Sequence, residues 1–121
     1  MIQLKIVNAY EATQQLIKEN NLSINAKWEL FKLRKELLST YEFYISESKE
    51  LFDKYETVVN GTAITFETPE LATEYQTKQN EIDNFDVEIS LSKHKLKLSD
   101  IPNISVSQIE LLDGFIEFIP E

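Results

Sequence analysis

Between Ala26 and Asn60 the chain contains no glycine and no proline. This gap constrains the fold more than any other feature, because the two residue types that most readily break a helix are missing from more than a quarter of the sequence. The segment predicts one long helix, capped at its start by Ser23 or Asn25. Its apolar residues recur in sevens. Leu30, Leu37, Tyr44, Leu51 and Val58 form one column, and Phe31, Leu38, Ile45, Phe52 and Val59 form a second column beside it. Leu33, Tyr41 and Tyr55 widen the face beyond a two-stranded seam, which implies contact with at least two other elements. A strict seven-residue repeat also favours left-handed supercoiling about a neighbour. Glu50 and Lys54 mark the polar side.

Length turns this pattern into an expectation about assembly. A compact chain of this size has a radius of gyration near ~14 Å, whereas a straight helix over residues 26 to 59 extends roughly 50 Å. The other helices expected here, about 12 and 16 residues long, would cover only ~42 Å of a face two columns wide. Part of the apolar surface is then left for a second copy or another protein to cover. Trp28 and Phe43 lie off both columns, so either the small sheet folds over them or a partner does.

Before the long helix, Ile2, Leu4 and Ile6 alternate with Gln3, Lys5 and Val7, as in a short strand. Asn8 would then cap a first helix carrying Ala9, Ala12 or Thr13, Leu16 and Ile17, up to Asn20-Asn21. After it, Asn60-Gly61 is either a helix stop or the start of a tight turn, with a strand over Thr62 to Phe66. Thr68-Pro69-Glu70 opens a helix whose inner face is Leu71, Tyr75, Lys78 and Ile82. Val87, Ile89 and Leu91, then Leu96 and Leu98, alternate as two strands or one interrupted hairpin, with Ser92-Lys93-His94 at the turn. Ser105 and Gln108 form a capping box for a short helix through Leu112 that stops at Gly114. Phe115 to Ile119 packs back as a strand or irregular segment. The reading is a single α+β domain over residues 1 to 121: one long amphipathic helix, shorter helices and a small, mostly antiparallel sheet.

Composition excludes several chemistries. The absence of cysteine removes disulfides, thiolate metal sites and cysteine nucleophiles, and two glycines leave no phosphate-cradling loop. Twelve basic against 21 acidic side chains give a net charge of −9. The imbalance sits mainly after residue 60, where four basic face twelve acidic groups. Such a surface repels nucleic acid and anionic membranes and attracts basic protein surfaces. With no long apolar run and no signal-like start, a cytosolic location is expected. His94, the sole histidine, lies between Lys93 and Lys95 and reads as a solvated turn residue, without the companions a metal or a nucleophile would require. Glu81, Asp83, Asp86 and Glu88 lack the glycine and donor alternation of a calcium loop and read as a solvated acidic edge. Ser39, Thr40, Ser46 and Ser48 have no elbow glycines beside them. Phe31, Tyr41, Tyr44, Phe52 and Tyr55 read as core rather than as a ligand groove. Arg34 with Lys27, Lys32 and Lys35 is the one concentration of positive charge in the first half, a solvated face or, alternatively, an anion site.

One resemblance adds to this. Asn25-Ala26-Lys27, followed by Leu30, Lys32, Leu33, Lys35, Leu37 and Leu51-Phe52-Asp53-Lys54-Tyr55, is similar to the long helix of a family of small proteins encoded by tailed bacteriophages and prophages. The likeness continues through an acidic helix, Val87-Glu88-Ile89, Leu96 to Ile101, Ile104-Ser105, Leu111-Leu112 and Phe115-Ile116, covering about residues 9 to 118. The family has no established biochemical activity, so the resemblance implies a phage origin and supplies no catalytic residues.

The functional expectation is therefore a non-enzymatic viral protein of the host bacterial cytoplasm, without cofactor or metal, acting through contacts with a host or phage protein. One form is an acidic inhibitor of a host defence protein that imitates nucleic-acid phosphate. The alternatives are a virion or assembly protein that oligomerises through the long helix, and an oligomeric small-ligand sponge. The candidate contact residues are Trp28, Phe31, Phe43, Phe52, Glu81, Asp83, Asp86 and Glu88. Self-association is expected, direct binding to nucleic acid or membrane is not.

Overall fold

A computed structural model describes residues 1–19, 21–55, 58–60, 63–66 and 68–120. The protein is mostly helical. Helix α1 spans Gln3–Ile17, the long α2 spans Ile24–Lys54, α3 spans Pro69–Asp83 and the short α4 spans Val106–Leu111. Strands β1 (Val58–Asn60) and β2 (Ala63–Thr65) form one two-stranded ladder, and β3 (His94–Lys97) and β4 (Ile116–Ile119) form another. A 3-10 turn over Leu98–Asp100 follows β3. Among the described residues, no helix is long and apolar enough to cross a membrane.

The expected first strand is instead the start of α1. Its buried residues, Gln3, Ile6, Val7, Ala9, Tyr10, Thr13 and Leu16 among them, follow helical spacing from residue 3 onward. The usual opening signal is absent because another part of the chain supplies the cap. No side chain caps α1; the Gln3 N–H donates to the Phe85 carbonyl at 2.8 Å, and the Val87 N–H to the Met1 carbonyl at 2.9 Å. Asn8 is mid-helix. The helix ends at Ile17, before Asn20, which lies outside the described residues.

Ser23 caps α2, accepting the Ala26 N–H at 3.1 Å. The helix has 31 residues, about 46 Å of rod, and ends five residues before the expected Val59. Val58 and Val59 belong to β1, as suits β-branched residues. Gly61 and Thr62 lie outside the described residues; the strands flanking them pair antiparallel, Asn60 opposite Ala63.

α1 and α3 lie end to end along α2, both antiparallel to it. Tyr10 stacks on Tyr41 with centroids 4.0 Å apart while Gln14 accepts from Arg34 at 2.7 Å, so residue numbers rise along α1 as they fall along α2. Likewise Asp83 accepts from the Tyr44 hydroxyl at 2.8 Å and Glu74 from the Tyr55 hydroxyl at 2.6 Å. Thr68 caps α3 and Pro69 opens it, as read from the sequence. Its expected inner face is only half-covered, since Leu71, Tyr75 and Ile82 are intermediate and Lys78 is exposed.

The larger correction concerns the sheet. β3 and β4 run parallel, His94 opposite Ile116 and Lys97 opposite Ile119. The reason is the connection. Between them the chain passes through the 3-10 turn and α4, a crossover of the length parallel pairing requires and a hairpin cannot use. Val87, Ile89 and Leu91 form no ladder; they are half-buried against the core as an extended segment. The Ser105–Gln108 capping box forms, and Gly114 ends the turn after α4 with φ +85°.

The core lies at the N-terminal half of α2. Ile6, Ala9, Tyr10 and Leu16 of α1 meet Ala26, Leu30, Leu33 and Leu37 of α2, and Leu96, Ile101, Leu112, Phe115 and Ile116 close it from the third side. Beyond Leu37, the only buried residue of α2 is Leu51, and α3 buries none.

Candidate interaction surface

The two apolar columns of α2 have different fates. Leu30, Leu37 and Leu51 are buried, whereas Phe31, Leu38 and Ile45, one residue further round the helix, are exposed. α1 and α3 occupy the groove over the first column and leave the second open. Ile24 extends the open column by one more seven-residue step, so exposure along Ile24, Phe31, Leu38 and Ile45 runs from 37% to 83%. Phe52 continues it and is half-buried. Trp28 stacks beside Phe31 with centroids 5.9 Å apart and is itself exposed. The small sheet does not fold over it.

The expected basic concentration is dispersed. Lys32 pairs with Glu29 at 2.9 Å and lies 5.6 Å from the Trp28 ring centroid; Arg34 bonds to Gln14 and lies over Phe31. These cations serve as polar edges to the aromatic pair.

His94 overturns its reading as a solvated turn residue. It is the first residue of β3, in phase with Leu96, so the alternation of the strand carries both side chains inward. Its side chain is 0% exposed, Nδ1 lies 3.0 Å from Glu29 Oε2, and Nε2 is bonded to Glu36 Oε1. Glu29 and Glu36 are two helical turns apart on one face of α2, which is why a single ring reaches both. Each ring nitrogen thus faces one carboxylate oxygen. Around the ring, Lys32 donates to Glu29 and the Ser92 N–H donates to Glu36 at 2.9 Å. Burial pushes both carboxyls up, but the contacts outweigh it and leave both below the ordinary carboxylate range. Lys32 and His94 act on Glu29, the Ser92 amide and His94 on Glu36. This arrangement ties β3 to α2. Among the described residues, no group of three or more His, Asp or Glu is placed to hold a metal ion.

The acidic residues do not act as one cluster. Asp83 accepts from Tyr44 and from Gln79, at 2.8 and 3.0 Å, and Asp86 accepts from the Met1 amine at 2.7 Å. Burial and the hydrogen bond to Asp83 push the Tyr44 phenol up to about 12. Glu88 is exposed. Glu81 stands elsewhere, on a groove of about 180 Å³ lined by Gln3, Phe43, Glu47, Glu81, Ile82 and Phe85. Phe43 and Phe85 face each other there with centroids 6.4 Å apart. Of the residues singled out in the sequence, then, Trp28 and Phe31 come together with Phe52 further along their helix, and Phe43 joins Glu81. Phe85, Glu47 and Gln3 carried no signal as contact residues. For His94 and its two glutamates a signal existed: the shared phase with Leu96 and the seven-residue spacing of Glu29 and Glu36.

Comparison with known proteins gives no matching family model, no similar curated protein and no similar solved structure. The likeness to small phage-encoded proteins therefore stands on the quoted residues alone.

Proposed function

We propose that the chain is a non-enzymatic protein-binding module, of phage origin, that inhibits a host protein in the bacterial cytoplasm by docking the open column of α2 against it. The observation that carries this reading is the exposure of Ile24, Phe31, Leu38 and Ile45 at seven-residue intervals beside Trp28. Apolar residues scattered on a surface need no explanation, but a continuous row along one helix marks a contact site. Aromatic anchors of this kind supply much of the energy of protein interfaces.

Capture from host lysate by the intact chain tests the proposal, with Phe31→Asp/Leu38→Asp as the comparison. Both side chains are exposed, so circular dichroism of the variant stays unchanged. A partner retained by the parent and lost by the variant supports the reading. The same partner retained equally by both refutes it.

A second reading, self-association as a virion or assembly protein, is favoured by the heptad period, which suits a second copy of the same helix. Trp28 is the sole tryptophan and is exposed, so a blue shift of its emission with rising protein concentration reports that reading directly.

A further inference from the structure

The open column of α2 lies within a charge pattern of its own. Residues 24–38 of the helix hold four basic and two acidic side chains, a net +2, and residues 39–54 hold two basic and four acidic side chains, a net −2. Trp28, Lys35, Glu42 and Lys49 stand between the column residues, repeat at the same seven-residue step and are all exposed. The two sets together alternate at spacings of three and four, the pattern of a helix that seats another helix along its length. Lys49 pairs with Asp53 on its own helix at 2.7 Å, whereas Lys35 and Glu42 are in no ion pair among the described residues. Their seven-residue separation, about 10 Å of helix rise, keeps them from pairing with each other.

These charges select both an occupant and its direction. A parallel second copy in register sets Lys35 against Lys35, Glu42 against Glu42 and Lys49 against Lys49, and lays basic half on basic half. An antiparallel copy, turned about a two-fold axis near Leu38, reverses this. Ile24 then lies toward the partner's Phe52, Phe31 toward the partner's Ile45 and Leu38 toward the partner's Leu38, so each apolar step meets an apolar step. The same axis brings Lys35 to the partner's Glu42 and Glu42 to the partner's Lys35. Charges placed beside an apolar seam set partner and orientation in this way. An unrelated protein imposes no such symmetry, yet this column is complementary to its own reversed image.

We infer that the open column binds a second copy of the chain as an antiparallel helix pair centred on Leu38, with two Lys35–Glu42 pairs across the seam. The inference rests on the self-association reading of this column. A host protein that docks there does so by displacing the second copy.

The test uses the full chain, which contains no cysteine, so that one substitution places one spin label. Double electron–electron resonance is measured on chains labelled at Ile24→Cys or at Ser39→Cys, both exposed positions. The antiparallel pair sets the Ile24 labels about 42 Å apart, 14 residues on either side of the axis, and the Ser39 labels within roughly 20 Å. Short distances at both labels overturn the antiparallel direction and leave self-association standing. No dipolar signal at either label overturns self-association and this inference with it. In sedimentation equilibrium, Lys35→Glu or Glu42→Lys alone weakens the pair about tenfold, because each turns two attractions into repulsions. Lys35→Glu/Glu42→Lys together restores it, and failure of that restoration overturns the alignment.

Discussion

Replacing His94 with alanine removes a side chain that joins β3 to two turns of α2. The ring is 0% exposed, and Glu29 and Glu36 are 17% and 20% exposed at their side chains, so water replaces the lost contacts incompletely. A hydrogen bond to a charged group is worth about 1.5–3 kcal/mol, and two are lost. Glu29 keeps Lys32 and Glu36 keeps the Ser92 amide, so neither carboxylate is stranded and the cost falls toward the lower end of that range. The net expectation is about 3 kcal/mol, a large share of the roughly 5–15 kcal/mol that holds a typical domain together. At roughly 2.1 cal/mol/K per residue, that loss lowers the thermal midpoint by about 12 °C. Urea and thermal unfolding followed by circular dichroism measure it. Acid titration adds an independent readout. Both carboxyls lie below their unfolded values, so their contribution is present above the unfolded pKa and is lost as pH falls through the folded one. His94 supplies part of that lowering, so His94→Ala loses less stability on acidification than the parent does. A cost below about 1 kcal/mol, or an unchanged acid slope, refutes the clamp as described.

Adjacent leucines on α2 are expected to differ: Leu37→Ala costs about 2–5 kcal/mol and Leu38→Ala about 1 kcal/mol, as read from urea midpoints, because one is wholly enclosed and the other is 37% exposed. Of the five tyrosines, Tyr44 and Tyr55 ionise late, each near 12, by phenolate absorbance. Asp83→Asn brings Tyr44 back toward its ordinary value. The Tyr44 contribution is intact below the unfolded phenol pKa near ~10 and is lost as pH rises through the folded value. Gly114→Ala costs about 1–2 kcal/mol in thermal melts, through its φ of +85° rather than through crowding, since the nearest atom to an added Cβ is Lys5 Nζ at 3.8 Å.

The elements legible in the sequence are those whose ends carry their own chemistry. Ser23, Thr68-Pro69 and the Ser105–Gln108 box name their helices because each cap bonds to a residue three positions on. The start of α1 was illegible because its cap is the Phe85 carbonyl, 82 positions away along the chain, and because buried Gln3 interrupts the apolar phase. The parallel order of β3 and β4 was illegible because alternation reveals a strand but not its neighbour. The two columns of α2 could be read, but not which one α1 and α3 would cover, since both are equally apolar. The flanking lysines suggest an outward His94, although Lys95 is an outward member of the alternating strand and Lys93 stands exposed just before its first residue.

The crowding of enclosed side chains at one end of α2 makes the molecule uneven along its length. Backbone amides between Leu30 and Leu37 are shielded on several sides, whereas those after Ile45 rest on α3, a helix with no enclosed side chain of its own. Amide deuteration should therefore proceed as a gradient along a single continuous helix, fast near Lys54 and slow near Leu33, so that half of the rod can breathe while the other half keeps the chain folded.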